Sequence, residues 1–228
     1  MHDDDKRIAA QAAVAEVRDG MLVGLGTGST AAHAIAVIGE RVAAGLDIVA
    51  VATSEASAAM ARSFGIRLLA MDDVAAVDLT IDGADEIDAR CWAIKGAGGA
   101  MTREKIVAAA SARMVVVADG SKQVERIGAA SLPVEVLPFA RSFVTAAVQA
   151  LGAAVTLRMA GGAPYLTDQG NAVIDARFAA MTDPPAVAGA LDAIPGVVGH
   201  GLFLNEVSAA YLARGGVVTR LERSEANG

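Results

Sequence analysis

The sequence predicts an α/β fold, a parallel sheet flanked by helices, with a smaller α+β unit of antiparallel strands inserted before the C-terminus. Three observations carry this. Short apolar segments alternate with Ala-rich amphipathic segments as far as Ala130, the rhythm of strands joined by crossover helices. Hydrophobic residues make up 54% of the 228 residues, but aromatic ones only 4%, beside 24 glycines. A core of Ala, Val, Ile and Leu suits closely packed helix–sheet layers better than an aromatic-rich sandwich. Beyond Ala130, Pro133, Pro138 and a TDQGN turn signature replace that rhythm.

In chain order, residues 6–18 read as an amphipathic helix ended by Asp19-Gly20, and 21–26 as a short strand running into a glycine loop. Ser29 or Thr30 is placed to cap a helix over 31–43, which Gly45 stops. A strand at 47–53, a helix at 54–65 and strands at 66–70 and 77–82 follow. A Gly-rich loop at 95–99 leads to a helix from Thr102, its expected cap, to about Ala112, and then to a strand at 114–119. In the smaller unit, 141–152 reads as a helix, AAVTLRM as a strand, and YLTDQGNAVIDARF as a hairpin turning near 168–171. A helix at 183–196 with prolines in its first turn, a strand at 197–204 and two short final strands complete the chain.

The net charge is −7, with no Lys/Arg cluster, which argues against nucleic acid as a partner. No apolar run reaches the roughly 20 residues of a spanning helix. The N-terminus, MHDDDKRIAA, lacks the basic start and apolar stretch of a signal peptide, so a cytoplasmic location is expected. The single cysteine, Cys91, excludes an internal disulfide and a cysteine-rich zinc site. Beside Trp92 and Ile94 it reads as a buried packing residue.

Three stretches could carry chemistry. The first is Gly24-Leu25-Gly26-Thr27-Gly28-Ser29-Thr30. It lacks the lysine of a P-loop, and its third glycine comes too early for a dinucleotide fingerprint. It does place flexible backbone and three hydroxyls at a helix start, which suits a phosphate or another small anion; a plain strand-to-helix turn would look the same. The second is Asp82-Gly83-Ala84-Asp85-Glu86-Ile87-Asp88, four carboxylates in seven residues after an apolar strand. Gly83 and Ala84 break the EF-hand pattern. The stretch reads as a solvated turn, as part of a Mg²⁺ site for which no His or second carboxylate cluster stands out, or as a site where Asp82 and Asp85 accept hydrogen bonds from sugar hydroxyls. The third runs from Lys95-Gly96-Ala97-Gly98-Gly99 into Thr102-Arg103-Glu104-Lys105. Glu104 falls in a first helical turn, where the helix dipole favours its ionised form. That is ordinary helix chemistry, and it is also a setting for a carboxylate base. None of the three histidines, His2, His33 and His200, has the setting of a catalytic residue, and no hydrolase or metalloprotease motif is present.

Together and in this order, GLGTGST, DGADEID and KGAGGAMTREK resemble the type A ribose-5-phosphate isomerases, with further similarity in SKQV, LPVEVLP, TDQGN and IPGVVGHGLF. The resemblance covers nearly the whole chain. It implies a Rossmann-like catalytic domain over residues 1–130 and 205–228, and a smaller ferredoxin-like α+β domain over 131–204. It also implies a homodimer that interconverts ribose 5-phosphate and ribulose 5-phosphate in the non-oxidative pentose phosphate pathway, with no metal or organic cofactor. Glu104 would be the base. Thr27, Gly28, Ser29 and Thr30 would form the first substrate loop, Asp82, Gly83, Ala84 and Asp85 the second, and Lys95, Gly96, Ala97 and Gly98 the third, with Lys122 a further contact. On this reading Lys95 stabilises developing oxyanion charge, and Asp82 and Asp85 orient hydroxyls and assist opening of the sugar ring. Ala97 and Gly99 vary the family's usual glycine–alanine order, and NEVSAAYLARGG is less typical of it. A sugar-phosphate sensor and a CoA-transferase-like enzyme are the rival readings. The first would be expected to add a basic helix-turn-helix segment, and the second to act through a covalent intermediate with a CoA thioester.

Overall fold

A computed structural model describes residues 2–224. The chain opens with α1 (His2–Val14), β1 (Leu22–Leu25), α2 (Ser29–Ala43), β2 (Val49–Ala52) and α3 (Glu55–Ser63). It continues through β3 (Val77–Gly83), β4 (Glu86–Ile87), β5 (Ala93–Ile94), α4 (Met101–Ala110) and β6 (Ser111–Asp119). Then come β7 (Leu132–Val136), α5 (Arg141–Ala150), β8 (Ala153–Leu157), β9 (Met159–Ala160), β10 (Ala163–Pro164) and β11 (Ala172–Phe178). The last elements are α6 (Pro184–Asp192), β12 (Val197–His200), β13 (Leu202–Phe203), β14 (Ala209–Arg214) and β15 (Val217–Glu222).

The main sheet has six strands in the order β15-β14-β6-β3-β1-β2. Its pairings are parallel except at the β15 edge, as the alternating pattern predicts. Strand β6 shows why a parallel strand reads as a continuous apolar run. Val115 and Val117 pack with Ala9, Ala13, Ile35 and Ile38 of α1 and α2, whereas Met114, Val116 and Ala118 pack with Ala108 of α4. Both faces are therefore covered. Strand β1 sends the chain to β2 on one side, and the next strand of this sheet, β3, lies on the other. That reversal opens a crevice beyond the carboxyl ends of β1 and β3, where open α/β sheets bind their ligands.

The second sheet, β12-β7-β11-β8, is antiparallel. With α5 and α6 it has the β-α-β-β-α-β connectivity of a ferredoxin-like unit, and it closes its own core around Val134, Val144, Ile174 and Leu191. Buried Glu135 accepts hydrogen bonds from Thr167 Oγ1 (2.8 Å), Asn171 Nδ2 (2.9 Å) and Gln169 Nε2 (3.1 Å), which is why the TDQGN turn is so polar.

Several local expectations are corrected. The first helix covers 2–14 rather than 6–18, because three aspartates in its first turn suit the positive end of its dipole. Residues 66–70 form no strand; they meet β2 through a single bridge, Ala50 to Leu68, before a 3-10 turn at Met71–Asp73. The last helix of the smaller unit stops at Asp192. Residues before the 168–171 turn contribute only a bridge, Leu166 to Ala172, since the long ladders of β11 go to β7 and β8. The strand at 197–204 is divided between two sheets. Gly201 is the crossing point: its N–H donates to Pro133 O (2.8 Å) and its carbonyl accepts from Lys95 N–H (2.9 Å). A Cβ there would collide with the Lys95 carbonyl.

Candidate active site

The crevice at the sheet's reversal holds a cleft of about 280 Å³. All three sequence motifs converge on it. Thr27, Gly28, Ser29 and Thr30 follow β1; Gly83, Ala84 and Asp85 follow β3; Lys95, Gly96, Ala97 and Gly98 follow β5. Glu104 on α4 and Lys122 after β6 complete the predicted lining. A larger cavity of about 610 Å³, between α3 and α4, holds none of these residues.

Neither expected hydroxyl cap forms. The residue preceding α2 is Gly28, at φ 100°, without a side-chain cap, and Ala32 is the first residue to close a helical hydrogen bond, to Gly28 O (2.9 Å). The amides of Ser29, Thr30 and Ala31 are thus the unpaired donors of a helix start, directed where an anion would sit. Similarly, α4 starts at Met101 after uncapped Ala100, and the Thr102 hydroxyl is buried without a hydrogen-bond partner. The Thr27 hydroxyl is engaged by Thr53 Oγ1 and Ser54 Oγ, both at 2.8 Å.

One lining residue was not anticipated. Lys6 of α1 reaches the cleft and donates to Ser29 Oγ at 3.0 Å. Nothing in KRIAAQ distinguishes this lysine from its neighbours; only the packing of α1 against α2 brings it there.

The charged centre lies deeper. Lys95 Nζ sits 2.9 Å from Asp82 Oδ2 and 3.3 Å from Glu104 Oε2, and donates to the Gly83 carbonyl. Lys95, Asp82 and Glu104 are 2%, 0% and 3% exposed, so a cation is held between two carboxyl groups out of water. Asp82 differs from expectation: it does not border the cleft. Its Oδ1 accepts the amides of Thr27 (2.9 Å) and Gly83 (2.7 Å), and Gly26 has no side chain because one would overlap the Asp82 carboxylate. Asp82 ties the first two loops together and anchors Lys95, whereas Asp85 borders the cleft and accepts the Ala97 amide (3.0 Å).

Electrostatics also revise the expectation for Glu104. Burial, reinforced by the Asp82 charge and opposed by Lys95, raises its carboxyl to about 8; a first-turn position does not keep it ionised. Burial pulls the Lys95 ammonium down, but the Asp82 and Glu104 charges outweigh it and the net shift is upward. Displaced pKa values in a cleft are a mark of acid–base chemistry. His200 lies outside the cleft, buried near Lys105 and Asp192. Cys91 is fully buried, as expected. Among the described residues, no group of three His, Cys, Asp or Glu side chains is placed to hold a metal ion, and no helix is long and apolar enough to cross a membrane.

The profile of ribose 5-phosphate isomerase A (phosphoriboisomerase A) matches residues 49–216. The chain belongs to the ribose 5-phosphate isomerase A family. Ribose-5-phosphate isomerase A of Sphingopyxis alaskensis is 55% identical over 222 residues, 97% of each chain. That of Bradyrhizobium diazoefficiens is 47% identical over 99% of this chain and 98% of its own. Among solved structures, a D-ribose-5-phosphate isomerase in complex with phospho-erythronic acid superposes with a TM-score of 0.95 at 36% identity, covering 98% of this chain and all of the other. The Neisseria gonorrhoeae family member gives 0.92 at 34% identity, over 99% of both chains. The mixed α/β architecture around a mainly parallel sheet is thus that of the family.

Proposed function

We infer that the chain is a ribose-5-phosphate isomerase, interconverting D-ribose 5-phosphate and D-ribulose 5-phosphate through an enediolate. The observation that carries this is the buried Glu104 carboxyl beside Lys95, opening onto a cleft that also holds an uncapped helix start and two further lysines. In the open-chain aldose, the ionised Glu104 takes the C2 proton. The C–H electron pair forms the C1–C2 double bond, and the C1 oxygen gains the negative charge. The proton on the C2 oxygen moves to the C1 oxygen, and Glu104 returns its own proton to C1, leaving a carbonyl at C2. One base serves both carbons because the intermediate is planar. Lys95 offsets the developing charge, with loop amides as further donors. Asp85 accepts from substrate hydroxyls. The amides of Ser29 to Ala31, with Lys6 and Lys122, suit the phosphate.

The division into residues 1–130 with 205–228 and 131–204 belongs to the same reading, supported by the separate cores of the two sheets. So does a cytoplasmic homodimer. Leu137, Phe139 and Phe143, exposed together beside α5, offer an apolar face of the kind that self-association covers, and light scattering of the purified chain tests it.

The deciding experiment is proton NMR of EDTA-treated protein with ribose 5-phosphate in D₂O. Ribulose 5-phosphate is expected to form, and to be lost in Glu104→Gln. Substrate binding without turnover in the wild-type protein would replace this reading with that of a sensor.

A further inference from the structure

The 95–99 loop is held by its own turn bond, Gly99 N–H to Gly96 O (2.9 Å), and from outside the cleft. The carbonyls of Gly96 and Ala97 accept from Arg158 Nη1 at 3.1 and 2.9 Å, and that of Gly98 accepts from the Tyr165 hydroxyl at 3.1 Å. Both donors lie between β8 and β11, on the smaller unit. Arg158 is itself locked. Its Nε donates to Asp175 Oδ2 at 2.9 Å and its Nη2 to Asp175 Oδ1, a two-pronged pairing that fixes the guanidinium plane. The side chain is only 16% exposed.

Three consecutive carbonyls are thereby turned toward the smaller unit. In a planar trans peptide, the carbonyl of one residue and the N–H of the next point in opposite directions. The amides of Ala97 and Gly98 must then face away from Arg158. The Ala97 amide does so, donating to Asp85 on the cleft wall. Gly98 borders the same cleft, and its amide takes the same direction. Neither Arg158 nor Asp175 borders the cleft, so any influence they have on the reaction passes through these peptide planes.

The geometry points to Arg158 as a positioning residue for the isomerisation: by holding the Gly96 and Ala97 carbonyls, it aims the Gly98 amide at the substrate oxygen on which charge develops. This rests on the isomerase reading above. A donor aligned before the reaction needs no reorganisation during it, and losing one such donor costs on the order of 10²- to 10³-fold in turnover. The guanidinium also polarises the amides whose carbonyls it binds, which strengthens them as donors.

The test compares Arg158→Met, Arg158→Lys and Tyr165→Phe in the full-length enzyme. It measures kcat and KM for ribose 5-phosphate, and inhibition by phospho-erythronic acid and by inorganic phosphate. Phospho-erythronic acid carries a carboxylate where the enediolate oxygens would form; inorganic phosphate reports only the anion end. Arg158→Met is expected to lower kcat by about 10²-fold and to weaken phospho-erythronic acid in parallel, with inorganic phosphate unchanged. Arg158→Lys should recover part of the loss, and Tyr165→Phe should lose less. A folded Arg158→Met enzyme with wild-type kcat overturns the inference, as does equal weakening of both inhibitors. Should Arg158→Met not fold, unchanged kcat in both Tyr165→Phe and Asp175→Asn overturns it instead. Absence of turnover in the wild-type enzyme would overturn the isomerase reading itself, and this inference with it.

Discussion

Burial and the Asp82 charge hold the Glu104 carboxyl near 8 against the pull of Lys95, and this makes the proposed base sensitive to pH in a measurable way. A base works only when ionised, so kcat/KM should rise with pH on an acid limb centred near 8 in the free enzyme. Replacing Lys95 with Met removes the opposing cation, and the limb should move to still higher pH as kcat falls. A pH–rate series on both proteins checks this; an acid limb at the ordinary glutamate value of 4.5 would overturn the upward shift, and the same limb persisting in Glu104→Gln would remove Glu104 from the role of base. Glu104→Gln should lower kcat by roughly 10²- to 10⁴-fold with a smaller effect on KM. The same residue leaves a trace in stability. Its folded value lies above its unfolded one, so the folded state binds the proton more tightly and stability declines as pH rises from about 4.5 toward 8. Thermal melts of Glu104→Gln should show a shallower decline across that window.

At the scale of an element, the start of α2 is where the proposed phosphate contact falls. Its amides are unpaired because Gly28 supplies no side-chain cap, at a φ of 100° that other residues rarely adopt. Nothing lies within 4 Å of where a Gly28 Cβ would be, so Gly28→Ala tests backbone conformation alone. KM should rise, and the protein should lose roughly 1–3 kcal/mol, because φ 100° with ψ 175° is a conformation essentially confined to glycine. Lys6 approaches the same helix from α1. Lys6→Ala should raise KM several-fold and weaken its dependence on ionic strength, with little change in kcat, because on the proposed reading it meets the non-reacting end of the substrate. An unchanged KM and salt response would take Lys6 out of phosphate binding.

At the scale of the whole molecule, function depends on how the smaller unit meets the sheet. Gly201 joins them, hydrogen-bonded to Pro133 on one side and Lys95 on the other. Gly201→Ala should therefore cost about 1–3 kcal/mol by overpacking and should lower kcat by shifting Lys95; a melt and a single-substrate assay separate the two effects. Nearby, Lys105 Nζ lies 3.3 Å from His200 Nδ1 and donates to Leu202 O at 2.7 Å, and His200 Nε2 faces Asp192 at 3.1 Å. Burial and the Lys105 charge lower His200 to about 4, despite Asp192. The unfolded chain then binds the proton more readily, so this junction loses stability as pH falls from about 6.5 toward 4. His200→Asn should flatten the acid side of a Tm-versus-pH curve. Equal slopes in both proteins would place the acid sensitivity elsewhere.

Much of this architecture was legible from the residues themselves. Strand–helix alternation, the apolar runs of doubly covered strands and the proline-rich change after Ala130 follow from local periodicity and backbone sterics, which any fold must obey. The glycine loop, the acidic turn and the Lys95 loop could be singled out because each joins unusual backbone freedom to ionisable groups within a few residues. Tertiary structure decided what depends on residues far apart in the chain. It buried Asp82 behind Lys95, brought Lys6 to Ser29, divided 197–204 between two sheets at Gly201, and set Arg158 behind the 95–99 loop. It also reversed the expected state of Glu104. A helix dipole acts locally and can be read from a first-turn position, whereas desolvation and the charge of Asp82 exist only once the chain has closed around the site.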